Sequence, residues 1–120
     1  INQVEFHPYH YQKELLEYCN SKNIIIEAYS PLVHAKRMDE PRLMAISDEL
    51  GKTPAQVLIR WAIQRGMVVL PKSVNQDRIV ENFAVFNFDI SNSLMKRLDD
   101  LDERYVTCWD PHNPPPYAPV

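Results

Sequence analysis

The stretch TPAQVLIRWAIQRGMVVLPKSVN, residues 53–75, contains the signals that decide the fold. Its first four residues predict a helix start, with a capping threonine, a proline in the first turn and a glutamine that completes a capping box. The apolar helical run that follows ends at Gly66, and Met67–Leu70 then predicts an apolar strand. Pro71 ends the strand and Asn75 caps a further helix. A helix, a strand and a second helix therefore follow one another directly.

The same alternation extends along the rest of the chain. Towards the N-terminus, the pattern predicts strands over Ile1–Phe6 and Ile24–Ala28, a helix over Gln12–Ser21 and a helix from Pro41 to Leu50. Towards the C-terminus, a last helix capped by Ser91 has an apolar stripe that faces a core. Strands that alternate with helices predict an α/β domain with a parallel sheet.

Composition is that of a soluble globular protein and excludes several function classes. The 120 residues are 45% hydrophobic and 24% charged, so we expect one domain at most. A net charge of −3 offers no basic surface for nucleic acid or anionic membrane. No apolar run approaches the roughly 20 residues of a membrane span. Cys19 and Cys108 form no disulfide framework, which fits the reducing cytoplasm where we expect the protein.

The two ends of the chain predict different structures. The chain begins with Ile1 inside a predicted strand, whereas residues 110–120 are rich in proline and predict an extended tail. Three parallel strands cannot close a barrel and leave two unpaired edges. We therefore expect residues 1–109 to be part of a larger α/β architecture, cut at its N-terminus, that is followed by the proline-rich tail.

The loop after the third predicted strand carries a candidate anion site. Lys72 and Ser73 leave the strand and lead into a helix that begins near Asn75, with Arg78 one turn further along. Free amides at a helix start, together with two cationic side chains, suit an anion such as phosphate. A solvated basic turn explains the same residues, so their spacing alone leaves both interpretations open.

Two other motifs do not predict a site. Gly51-Lys52-Thr53 is similar to the end of a P-loop, but Ile46 stands where the first glycine is required. His7 and His10 have no third ligand close in the sequence, so no metal site is predicted.

Several segments, taken in order, resemble the aldo-keto reductase family. They are NQVEFHPY (2–9), AYSPL (28–32), GKTPAQVLIRW (51–61), PKSV (71–74) and RIVENF (78–83), and the likeness continues to about Trp109. The family is an eight-stranded (β/α) barrel, the TIM barrel, that reduces aldehydes and ketones to alcohols with NADPH. The resemblance implies that this chain is the C-terminal, NADP-binding portion of such a barrel, incomplete as given, with about three parallel strands and their flanking helices.

The resemblance also implies cofactor contacts, first at the nicotinamide end. Gln3 is similar to the glutamine that hydrogen-bonds the nicotinamide carboxamide, and Tyr29 to the tyrosine whose ring stacks on the nicotinamide. Ser30 and Leu32 lie on the segment similar to the loop over the pyrophosphate. Relatives usually continue this loop with glycine where this chain has Val33, so we expect a less complete lid and faster cofactor exchange.

At the adenosine end, the resemblance implies contacts to the 2′-phosphate and to adenine. The matching residues are Lys72, Ser73 and Val74 at the phosphate, Arg78 stacked on adenine, and Glu81 and Asn82 facing the adenine edge. The catalytic tetrad of the family lies in the first half of the barrel, so the resemblance predicts no catalytic residue here. Tyr105 and Trp109 are placed like the variable C-terminal loop and are candidates for the substrate pocket.

Three possible functions remain open from the sequence. In the first, the chain joins a missing N-terminal half-barrel to form an oxidoreductase that acts on a small carbonyl compound, apolar or similar to a carbohydrate, while the isolated chain is inactive. In the second, it is a truncated, non-catalytic fragment that binds a partner or another copy of itself through its strand edges. A barrel relative that serves as a binding or regulatory subunit would share the cofactor site.

Overall fold

The computed structural model describes residues 1–109, in which strands and helices alternate as predicted. The strands are β1 (Asn2–Glu5), β2 (Ile26–Tyr29) and β3 (Val68–Leu70), and the helices are α1 (Lys13–Ser21), α2 (Pro41–Leu50), α3 (Pro54–Gln64), α4 (Gln76–Phe83) and α5 (Asn92–Asp99). A short 3-10 turn, Val33–Ala35, lies between β2 and α2. The predicted proline-rich tail, residues 110–120, lies outside the described residues.

The three strands form one parallel sheet in the order β1-β2-β3. In its register, Glu5 lies opposite Tyr29, and Tyr29 lies opposite Leu70. Parallel neighbours require crossover connections, which α1 supplies between β1 and β2 and which α2 and α3 supply between β2 and β3. The prediction of three parallel strands with flanking helices is confirmed.

Strand β2 begins and ends later in the chain than predicted. The amide of Ile24 donates to the carbonyl of Cys19 (2.9 Å) and so completes the end of α1 instead of joining the sheet. Asn23, with a φ of +56°, turns the chain at this point. At the other end, pairing with both neighbouring strands keeps Tyr29 in the sheet.

The helix ends follow the local signals of the sequence. Gly51 and Gly66 have φ values of +60° and +80°, the left-handed region that favours glycine after a helix. The side chain of Thr53 accepts from the amide of Gln56 in a complete capping box. A cap that the pattern did not predict is Glu40, whose carboxylate accepts from the amide of Leu43 (3.0 Å).

One face of the sheet packs against the helices and forms the core. Ile26 and Ala28 lie on this face, and the largest fully buried side chain, that of Trp61, belongs to α3. The Trp61 indole donates a 2.8 Å hydrogen bond to Asp99 at the end of α5, which joins two helices across the core. The apolar stripe of α5 faces inward as predicted, because Met95 and Leu98 are buried.

Two apolar surfaces are left open by the described residues. On the second face of the sheet, Val68 and Leu70 are 45% and 40% exposed. On α4, the predicted apolar side is present but points to solvent, with Phe83 75% exposed. The Phe83 ring meets that of Phe86 edge-on, with 5.7 Å between the ring centroids.

Candidate functional site

A cavity of about 470 Å³ opens at the edge of the sheet where the strands end. The loop after β2, the loop after β3 with α4, and the first turn of α3 form its walls. It brings together six of the ten residues that the resemblance assigned to a cofactor: Leu32, Lys72, Ser73, Arg78, Glu81 and Asn82. Residues separated by about fifty positions in the chain therefore share one site.

The cavity has a cationic wall. The side chains of Lys72 and Arg78 line it, and neither has an ion-pair partner among residues 1–109. Asn75 caps α4 by accepting from the amide of Arg78 (3.0 Å), and the Ser73 hydroxyl accepts from the amide of Asn75 (3.1 Å). The positive end of the α4 dipole therefore lies beside two uncompensated cations, an arrangement that can bind an anion.

One turn further along α4 from Arg78, the cavity presents a carboxylate held by a hydrogen bond and a buried amide. The hydroxyl of Thr53 donates to the Glu81 carboxylate (2.7 Å), and the side chain of Gln56 donates to the carbonyl of Glu81 (3.3 Å). Asn82, one position further, is buried. A carboxylate that accepts and an amide that both donates and accepts can recognise the polar edge of a heterocyclic base.

A second cavity of about 400 Å³ adjoins the first along the same edge of the sheet. Ser30 lines this second cavity, and both cavities share Leu32, His34 and Lys72. Together they form a cleft that runs from the end of β2 to α4. An extended ligand with one strongly anionic group and one planar polar group fits the chemistry of this cleft.

The loop over the cleft is conformationally strained. Ser30, Val33, His34 and Ala35 all have φ values between +50° and +60°. Such values are costly for residues other than glycine, most of all for a β-branched side chain such as that of Val33. The Val33 side chain is fully buried, so packing holds the residue in this conformation.

Gln3 and Tyr29 lie outside both cavities, on the open face of the sheet. The register places Gln3 opposite Glu27 and Glu5 opposite Tyr29, so all four project to the same face. Burial raises the pKa of the Tyr29 hydroxyl, and the nearby Cys108 thiol and Glu5 carboxylate raise it further. Tyr29 is therefore a neutral ring at physiological pH, with a surface on which a planar group can stack.

The remaining predicted residues also lie outside both cavities. Val74 is 86% exposed and Trp109 is 56% exposed. Tyr105 is partly buried against the core, with the Arg37 guanidinium 4.3 Å from its ring centroid.

The described residues show no metal site and no membrane span. His7 Nε2 lies 3.0 Å from the Glu5 carboxylate, and no three His, Cys, Asp or Glu side chains among residues 1–109 form a metal-binding group. No helix within the described range is both long and apolar enough to cross a membrane.

Sequence reasoning missed half of the residues that line the larger cavity. These are His34, Ala35, Met38, Thr53, Pro54 and Ala55. A signal for the last three was available: α3 is followed by a short turn into β3 and so runs antiparallel to it, which puts its first turn at the edge where the strands end. For His34 the sequence carried no such signal, because the loop after β2 has no regular periodicity.

Comparison with known proteins gives consistent matches. A sequence model described as the Aldo/keto reductase family matches residues 1–103. The chain is 44% identical over 106 residues to the glyoxal reductase of Bacillus subtilis, covering 87% of this chain and 38% of that protein. It is 45% identical over 111 residues to an uncharacterized oxidoreductase of Schizosaccharomyces pombe, covering 92% of this chain and 40% of the relative.

Among solved structures, the chain is similar to a mutant of Gox0644 in complex with NADPH. The TM-score is 0.82 and the identity 38%, covering 86% of this chain and 38% of the solved chain. The chain thus spans about two fifths of the length of the proteins that it matches. Its three strands are part of a barrel, and the prediction of a partial barrel is confirmed.

Proposed function

This chain belongs to the aldo/keto reductase family, and from that premise we propose that it holds the NADPH of an oxidoreductase that reduces aldehydes and ketones to alcohols. We also propose that residues 1–109 are the C-terminal, NADP-binding portion of the barrel, followed by a separate tail at 110–120. A cytoplasmic location belongs to the same proposal.

The cleft along the strand ends is the observation that carries this proposal. Its cationic wall, Lys72 and Arg78, has no ion-pair partner among the described residues and suits the extra phosphate that distinguishes NADPH from NADH. One turn further along α4, Glu81 and Asn82 suit the polar edge of adenine. The chemistry of the donor and acceptor set therefore fits the cofactor.

Within this proposal, each part of the cleft has a separate task. Lys72 and Ser73, with the neighbouring Val74, bind the 2′-phosphate, and Arg78 stacks on the adenine. Ser30 and Leu32 cover the pyrophosphate.

At the nicotinamide end, the neutral ring of Tyr29 supports one face of the nicotinamide, and Gln3 hydrogen-bonds its carboxamide. When bound, NADPH supplies the hydride for the reduction. The residues of this chain orient the cofactor and keep it in place, which is how a protein directs cofactor chemistry. Tyr105 and Trp109 are proposed to contribute to the carbonyl substrate pocket.

The proton donor for the carbonyl oxygen is proposed to come from the rest of the barrel. The open face of the sheet, with Val68 and Leu70 partly exposed, is the surface that the remaining strands would cover. The apolar side of α4 is a second such surface. We therefore propose a missing N-terminal half-barrel as the partner of this chain.

A titration with two cofactors tests the proposal. The protein that contains this chain is titrated with NADPH and with NADH, and binding is followed by the fluorescence of the reduced nicotinamide. We expect NADPH to bind at least tenfold more tightly, and the isolated 120-residue chain to show no turnover with an aldehyde such as p-nitrobenzaldehyde. Equal affinity for the two cofactors contradicts the assigned phosphate site, and turnover by the isolated chain contradicts the need for a partner.

A second candidate function, binding another chain without catalysis, is favoured by the exposed apolar side of α4. Phe83 and Val80 are 75% and 65% exposed there, although apolar side chains of this size are more often buried. Light scattering of the isolated chain at several concentrations separates the two functions. A stable dimer that does not bind NADPH favours the second.

A further inference from the structure

A buried carboxylate holds the C-terminal segment, defined here as residues 103–109, against the end of β1. Glu5 is only 4% exposed. Its Oε1 accepts from the amide of Thr107 (2.7 Å), from the Thr107 hydroxyl and from His7 Nε2 (3.0 Å). Its Oε2 accepts from the amide of Cys108 (3.1 Å). Three of these four donors belong to the C-terminal segment.

The other end of the C-terminal segment is attached independently of Glu5. The carbonyl of Tyr9 accepts from the amides of Glu103 (3.2 Å) and Tyr105 (2.9 Å). Arg37 forms a 2.7 Å ion pair with Glu103 and lies over the Tyr105 ring. Loss of the Glu5 contacts would therefore loosen residues 106–109, which would keep, within the described part of the chain, only the contacts of the Cys108 thiol with Ser30 and His34. Residues 103–105 would stay in place.

The position of Glu5 connects the C-terminal segment to the proposed nicotinamide site. Glu5 lies opposite Tyr29 in the sheet register and on the same face. The thiol of Cys108 contacts the Ser30 hydroxyl (3.1 Å) and His34 Nε2 (3.3 Å), both in the loop over the cleft. The part of the segment that Glu5 holds thus lies beside Tyr29 and next to the cleft.

We propose that Glu5 is a positioning residue for the substrate pocket: its carboxylate fixes residues 106–109 beside Tyr29 and so determines the affinity for the carbonyl substrate, without contributing to NADPH binding. This inference rests on the proposed function. It assigns to Glu5 a task separate from those of the residues that line the cleft, since Glu5 lines neither cavity.

The two acceptor oxygens of Glu5, not only its size, are required for this task. A carboxylate offers acceptors on both oxygens, and here both receive donors. Glutamine has the same shape but replaces one oxygen with an NH₂ group, which would face a backbone N–H. In either orientation of the amide, Glu5→Gln loses at least one backbone contact of the C-terminal segment.

The test compares Glu5→Gln with Glu14→Gln in the protein that contains this chain. Glu14 is exposed on α1, so its substitution controls for the general effect of removing a carboxylate. We expect Glu5→Gln to raise the KM for p-nitrobenzaldehyde at least tenfold, with kcat within about threefold and the NADPH Kd within twofold of the wild-type values. A merely structural role would weaken NADPH binding and lower kcat together. An unchanged KM, or a loss of NADPH affinity equal to the change in KM, overturns the proposal.

Two further measurements keep the inference separate from the proposed function. Amide hydrogen exchange at Thr107 and Cys108 is expected to be at least tenfold faster in Glu5→Gln than in Glu14→Gln, whether or not the protein reduces any carbonyl compound. If exchange is faster in Glu5→Gln but the wild-type protein reduces no carbonyl compound, Glu5 still attaches the C-terminal segment. The proposed reductase activity and the role of Glu5 in the substrate pocket are then both contradicted. If Glu5→Gln does not fold, Thr107→Val removes only the hydroxyl donor, and we expect the same pattern at smaller amplitude; no change in KM then overturns the proposal.

Discussion

The hydroxyl of Thr53, the cap of α3, donates a 2.7 Å hydrogen bond to the carboxylate of Glu81 on α4. The same hydroxyl accepts from the amide of Gln56 inside its own helix. One side chain therefore both starts α3 and fixes a wall of the cleft. Helix stability and the proposed ligand site are joined at this residue, which makes it a sensitive site for mutation.

We expect Thr53→Ala to lower the free energy of unfolding by about 1–2 kcal/mol, the upper part of the range for a lost helix cap. Ser91→Ala, at the cap of α5, is the matched control. Among residues 1–109, the Ser91 hydroxyl accepts a long bond (3.4 Å) from the amide of Leu94 within the helix and otherwise meets only the hydroxyl of Ser93. Its expected cost is about 0.5–1 kcal/mol. Urea unfolding measures both values, and an equal cost would show that the contact with Glu81 adds nothing.

We expect Lys72→Met to weaken NADPH binding about 10–100-fold and NADH binding less than threefold. A hydrogen bond to a charged group contributes about 1.5–3 kcal/mol, and only NADPH carries the 2′-phosphate that Lys72 is proposed to bind. Lys22→Met, at an exposed position after α1, is the control for the loss of a positive charge. Fluorescence titration measures the four affinities. Equal losses for the two cofactors would remove Lys72 from the phosphate site.

We expect the stability of the fold to decrease as the pH falls from 7 to 5 because of His7. Burial lowers the pKa of His7 from its ordinary value of 6.5, and the hydrogen bond and charge of Glu5 oppose this only in part. The unfolded chain therefore binds a proton that the folded chain excludes, so acid favours unfolding by at most about 1.4 kcal/mol per pH unit.

The variant His7→Gln isolates this effect, since glutamine can still donate to Glu5 but does not titrate. Its free energy of unfolding, measured with urea at pH 7, 6 and 5, should vary less than that of the wild type. His10→Gln, at a partly exposed position, serves as the control and should keep the wild-type slope. A wild-type slope in His7→Gln would rule out His7 as its source.

We expect Phe83→Ser to cost less than about 0.5 kcal/mol in the isolated chain, where the ring is exposed. In the protein with the proposed half-barrel in place, the same change should cost about 3 kcal/mol or more, as for a large buried side chain. Leu98→Ala, at a position that is buried in either case, should cost about 2–5 kcal/mol in both proteins. Equal costs of Phe83→Ser in the two proteins would mean that α4 is not covered.

Local signals made most of the secondary structure predictable. Helices with a cap at one end and a glycine at the other, such as α3, lie where the sequence placed them, because capping depends on residues a few positions apart. The start of β2 was predicted two residues early. The amide of Ile24 hydrogen-bonds to the carbonyl of Cys19 in the turn after α1, and strand propensity does not account for this alternative hydrogen bond. The prediction for α4 found its apolar side but not its exposure, which depends on what packs against it.

The candidate site was predictable only in part, because most of its contacts join residues that are far apart in the sequence. Lys72 and Arg78 lie close in sequence, so their spacing suggested an anion site but did not exclude a solvated basic turn. Their meeting with Leu32 and Glu81 in one cavity followed from the family resemblance. The contribution of Thr53 depends on two helices that meet in space. No spacing rule relates Glu5 to Thr107, because their contact joins a strand to a segment without regular structure.

The attachment of the C-terminal segment has a consequence for how the chain folds. Glu5 and its backbone partners are 102 and 103 residues apart, so this contact closes almost the longest loop that residues 1–109 allow. Contacts of such separation form late, since the entropy of closing the loop must be offset by structure already made. During synthesis, Glu5 leaves the ribosome long before Thr107 exists and stays hydrated until the sheet and its helices have assembled. Docking of residues 106–109 over the strand ends is then the step that removes this carboxylate from water.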